Sequence, residues 1–138
     1  MLTNIFTTLL TLFLLGWPLL AAAEPVYLHC TLTSSTGPQE MNVTVDASTG
    51  KVTQVMHTGK AFTSEGLFTA DTITYQHTII TGRRGFQLTN TYQINRRTLA
   101  LHHTSQLEWA DKFPTPNGPH VTTNLGNCDI ITRPENKL

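Results

Sequence analysis

Histidine, asparagine and tyrosine recur in the middle of the chain at even spacing, and those types together can hold a polar ligand or move a proton. Tyr75 and His77 are two residues apart, as are Asn90 and Tyr92, and as are His103 and Ser105. In an extended chain such pairs share a face. Here it is the face of Ile73 and Ile79, of Leu88 and Ile94, and of Leu101 and Leu107. A four-residue loop at 82–85 sets His77 opposite Asn90. A loop at 95–98 then sets Asn90 opposite His103, whereas a loop at 96–99 sets it opposite Ser105. The first register is favoured, because the second puts Leu99 at a turn position that prefers glycine. Either way the sequence predicts a polar belt across three strands on the core side: His77, Asn90, and His103 or Ser105, flanked by Tyr75 and Tyr92.

A buried polar group left unbonded costs a few kcal/mol, so such a belt needs a reason. One reading is a pocket that binds a small ligand or supports acid–base work. The other is an internal hydrogen-bonded network, or a sheet that curls open there. Paired networks are the commoner outcome.

Other chemistries find less support. His102 and His103 are adjacent in a strand and point to opposite faces, so they cannot share a metal ion. His29, His57 and His120 have no regular spacing to a partner, and zinc wants three or four convergent ligands. No metal or other cofactor is expected. A Gly-x-Ser-x-Gly elbow is absent. Glu65, Asp71, Glu108 and Asp111 do not lie mid-strand on an apolar face, as a glycosidase pair would. The pairs Arg83-Arg84 and Arg96-Arg97 fall in successive turns, at opposite ends of a strand about 30 Å long, and form no single patch. Asn42-Val43-Thr44 fits the N-glycosylation triplet, a frequent pattern in a threonine-rich chain.

The elements that position these residues follow a leader. An apolar run from Ile5 to Leu20 is broken by Gly16 and Pro18, ends in Ala21-Ala22-Ala23, and precedes the first charge, Glu24. That is the layout of a cleavable signal peptide over residues 1–23, too short for a lasting span. The expectation is export, to a periplasm or outside the cell, of one domain over 24–138 with a frayed tail at 134–138. Nine basic and nine acidic residues leave no net charge, so no long-range field gathers nucleic acid. Cys30 and Cys128 are the two cysteines. In an oxidising compartment they are expected to pair, closing a loop of about 100 residues worth about 4.7 kcal/mol in the chain-entropy account.

No sustained helical period follows Glu24; alternation of period two recurs instead. Strands are expected at 26–32, 41–46, 51–56, 72–80, 86–94 and 99–109, with a less regular stretch around Phe62, Leu67 and Phe68. A proline-bearing loop runs over 110–119, and closing strands follow at 120–125 and 128–132. Val45-Asp46-Ala47-Ser48-Thr49-Gly50-Lys51-Val52 echoes Ile94-Asn95-Arg96-Arg97-Thr98-Leu99-Ala100-Leu101, which supports two hairpins rather than a duplicated domain. Seven or eight short antiparallel strands, each with one apolar face, give an all-β fold: a small barrel or curled sheet in preference to an open sandwich.

Tyr27-x-x-Cys30 and the late Cys128 resemble, in architecture, the small exported lysozyme inhibitors, which are compact β-barrels with a cysteine bridge. Their inhibitory loop, a Ser-Gly pair before an aromatic, is not reproduced by Ser48-Thr49-Gly50-Lys51, and no functional residue carries over. The leading expectation is a non-enzymatic binding protein that engages a protein or envelope component through one rim or its threonine-rich face. It requires a filled core and an exposed apolar patch at Phe62, Phe68 or Phe113. A small-ligand carrier with its pocket at His77, Asn90 and His103, or an enzyme using those histidines, is the alternative.

Overall fold

The computed structural model describes residues 23–82, 85–109 and 118–133. Residues 1–22 of the expected leader, Arg83-Arg84, the loop that contains Phe113 and the terminal tail lie outside the described residues. Eight strands follow one another: β1 Val26–Ser34, β2 Gly37–Asp46, β3 Lys51–Met56, β4 Ala61–Phe68, β5 Thr72–Thr81, β6 Phe86–Asn95, β7 Ala100–Trp109 and β8 His120–Ile131. Each pairs antiparallel with the next, and β8 returns to β1 to close a barrel. Among the described residues no helix is long and apolar enough to cross a membrane.

Two segments differ from the sequence expectation. The stretch around Ser64-Glu65-Gly66 is a full strand, β4, whose side chains alternate between exposed and half-buried. The two closing segments are one twelve-residue strand, β8, that continues through Gly126. A Cβ at Gly126 would strike the Thr31 carbonyl oxygen and lie 3.0 Å from Leu32 Cα. Glycine there lets β8 approach β1 closely, which is why it reads on paper as a break.

Alternation builds the interior. Leu28, Cys30 and Leu32 from β1, Met41, Val43 and Val45 from β2, Val52 from β3, Ile73 and Tyr75 from β5, Tyr92 and Ile94 from β6, and Leu101 from β7 form one core. Cys30 stands directly opposite Cys128, and the two are disulfide-bonded, joining the first strand to the last.

Two turns share one design. Asp46 Oδ1 accepts from the backbone N–H of Ser48 at 3.0 Å and of Thr49 at 3.3 Å. Asn95 Oδ1 accepts from Arg97 and Thr98, both at 2.9 Å. Gly50 then takes φ +70° and Leu99 takes φ +60°. The expected β6–β7 register is thereby corrected: the loop is 96–99, so Asn90 faces Ser105 and Tyr92 faces His103. Leu99 occupies the left-handed conformation that usually selects glycine. Three contacts hold it: its N–H donates to the Asn95 carbonyl at 2.8 Å, its own carbonyl accepts from Cys128 N–H at 2.9 Å, and its side chain packs on the core.

The barrel is uneven along its axis. β4 pairs with β5 over three residue pairs only, from Phe68↔Ile73 to Gly66↔Tyr75. β1 leaves β8 after Thr33↔Leu125. β5 to β8 continue past both points as a four-stranded extension.

Candidate functional site

The belt residues fall into cross-strand rows. Tyr75, Tyr92, His103 and Asn124 lie side by side in one, and His77, Asn90, Ser105 and Thr122 in the next. Below them, toward the closed barrel, are Ile73, Ile94 and Leu101; above, on the extension, are Ile79, Leu88 and Leu107. The belt is therefore a polar layer between two apolar ones.

His103 is the best-buried of its histidines, at 8 % exposure. Its Nε2 lies 3.0 Å from Asn90 Oδ1, a diagonal contact that survives the shifted register. Its Nδ1 lies 3.3 Å from Asn124 Nδ2. An amide nitrogen only donates and an amide oxygen only accepts, so the ring carries its proton on Nε2 and offers a lone pair at Nδ1. Burial, and secondly the neighbouring His102, hold the His103 pKa below the usual 6.5. Both ring nitrogens are occupied by amides. Neither a lone pair nor a proton is left to aim at a substrate.

The aromatic members stack. The Tyr92 ring centroid is 4.7 Å from that of His103 and 5.0 Å from that of Tyr75. His77 stacks almost parallel on Phe62, with centroids 4.1 Å apart and planes at 6°. That pair bridges the gap where the β4 backbone has left β5. Phe62 and Phe68 are half-buried against the core rather than exposed, and so do not form the apolar patch expected of them.

Deeper still, the Tyr75 hydroxyl donates to Gln54 Oε1 at 2.7 Å, and Gln54 Nε2 contacts Met56 Sδ at 3.1 Å. Burial pushes the Tyr75 hydroxyl well above its ordinary pKa of 10, with the neighbouring Tyr92 adding to the effect. Burial also raises that of Tyr92, against an opposing hydrogen bond from Gln54. Among the described residues, no buried side-chain nitrogen or oxygen is left without a hydrogen-bond partner.

The structure thus brings Asn90 and His103 into contact, sets Tyr75 and Tyr92 against one another, and ties His77 to Phe62. Ser105 stands between Asn90 and Thr122. The hydrogen bonds of Asn90, His103 and Tyr75 belong to an internal polar network. Gln54 and Asn124 complete it and were missed by sequence reasoning. Their signal was parity: Gln54 shares the side of Val52 and Met56, and Asn124 shares the side of Cys128. Among the described residues no three His, Cys, Asp or Glu side chains converge as a metal site would require.

The extension beyond the belt is different. Its inner face carries Ile79, Leu88 and Leu107 in a row, then Phe86 against Trp109 with centroids 3.8 Å apart. Ile79, Leu88, Phe86 and Leu107 are half-buried, and Trp109 is 43 % exposed. On its outer face Ile80 is 74 % exposed. Along the side facing β4, residues 76–80 of β5 have no strand partner among the described residues.

The chain matches no protein-family profile, no curated protein and no solved structure.

Proposed function

We propose that the protein is an exported, non-enzymatic binding module that captures an extended segment of a partner protein along the open edge of β5. The observation that carries this is the early departure of β4: among the described residues, β5 keeps a free backbone edge over residues 76–80, beside an inner apolar row. Proteins normally blunt such an edge with charge, proline or a bulge. The segment Gln76-His77-Thr78-Ile79-Ile80 has no Lys, Arg, Asp, Glu or Pro. An incoming strand would find main-chain hydrogen bonds for affinity and alternate apolar side chains for selection. The hydrogen bonds that Asn90, His103 and Tyr75 already make inside the protein favour this over a ligand pocket at the belt. Export rests on the leader pattern and agrees with the Cys30–Cys128 bond.

The test is paired affinity capture from the envelope and extracellular fractions, with the protein and its Thr78→Lys/Ile80→Lys variant as baits. A partner held by the first and lost by the second, with residues 76–80 gaining amide-exchange protection in the complex, supports the reading. Identical captures by both baits, or protection elsewhere only, would sink it.

A further inference from the structure

The opposite end of the barrel has a mouth of its own, about 310 Å³ in volume. Val26, Val45, Phe68, Ile73, Leu99 and Ile130 make its apolar wall. Two of these form an exposed lip: Ile130 is 66 % exposed and Val26 is 42 % exposed, although both continue the inward-facing parity of their strands. Side chains that face a core and find none leave apolar surface open to a ligand.

Among the described residues, two charged ones reach this rim, Arg96 and Glu24. Arg96 is fixed there: its backbone N–H donates to the Asp71 carbonyl at 2.8 Å, and its Nη1 donates to the Thr69 carbonyl at 2.6 Å. The nearby carboxylate of Asp71 is taken by the next arginine, Arg97, at 2.9 Å. Among the described residues no carboxylate stands within ion-pair distance of Arg96. A guanidinium has five donors, so Arg96 keeps several for a ligand while one hydrogen bond sets its position.

We infer that this mouth binds a small amphiphile with one anionic head, a medium-chain carboxylate, its tail on the apolar wall and its carboxylate on Arg96. Small-molecule pockets run from about 300 to 1,000 Å³. This volume lies at the low end, which excludes a long-chain lipid from lying wholly inside. The site shares no residue with the β5 edge, so either proposal can fail without the other.

Decanoate, decanol and decyltrimethylammonium are titrated into the purified protein, its N-terminus fixed by mass, with the methyl resonances of Val45, Ile73 and Ile130 as the readout. Decanoate is expected to bind one to one and tighter than the other two. Arg96→Gln should weaken decanoate about tenfold, as loss of a charged hydrogen bond does, and leave decanol unchanged. Ala47→Trp, which adds bulk at the exposed rim without touching the core, should weaken both. Decanoate binding no tighter than the cation, indifferent to Arg96→Gln, or leaving the mouth methyls unmoved, would overturn the assignment.

Discussion

The Tyr75 hydroxyl meets Gln54 Oε1 at 2.7 Å where neither residue touches water, at 1 % and 0 % exposure. A buried acceptor deprived of its donor keeps its full desolvation penalty. Tyr75→Phe should therefore destabilise by about 1–3 kcal/mol. Adding Gln54→Leu should recover part of that loss, because the orphaned amide leaves with it. Urea unfolding of both singles and the double gives the coupling; strict additivity would contradict the bond's role.

His103 sets a pH dependence. Its folded pKa lies below the ordinary 6.5, so on acidification the unfolded chain takes up its proton first. The stabilising contribution is whole above about pH 6.5. It drains away as pH falls from there through the folded pKa. Protonation at Nδ1 would also expel the Asn124 donor. Unfolding free energy compared at pH 7.5 and 5.5 should drop for the native protein. The drop should be smaller for His103→Asn.

Position 99 should reverse the usual ranking of alanine over glycine. Leu99→Ala loses packing and keeps the left-handed backbone, whereas Leu99→Gly loses the same packing and sheds a strain of about 1–2 kcal/mol. Glycine is expected to be the more stable of the two by about 1 kcal/mol in denaturant titrations. Alanine matching or exceeding it would mean the backbone has moved.

The Cys30–Cys128 bond spans 98 residues. Replacing both cysteines by alanine should lower stability by about 4–5 kcal/mol on loop entropy. Reducing agent should shift the native protein's urea midpoint toward the variant's and leave the variant's own unmoved.

Much of the barrel was legible because its strands alternate cleanly, and because two cysteines near the extremities announce that the first and last strands meet. β4 was not, since Glu65 and Gly66 look like turn residues when their partners are unknown. The belt's composition was legible, but its register was not. Lining up the two echoing hairpins puts Leu99 on Gly50, and both take positive φ. Turn propensity argued against Leu99 there, and tertiary contacts outweighed it: its carbonyl accepts from Cys128 and its side chain reaches the core. Arg96 at the mouth was read as a turn residue because sequence shows neither the Thr69 carbonyl that holds it nor the lip beside it.

Tyr27 lies directly across from Ile131. The start of the first strand and the finish of the last are therefore neighbours, and a short linker could splice them. The circle so formed could be cut open at the β3–β4 connection, giving a permuted polypeptide in which every stave keeps its original companions.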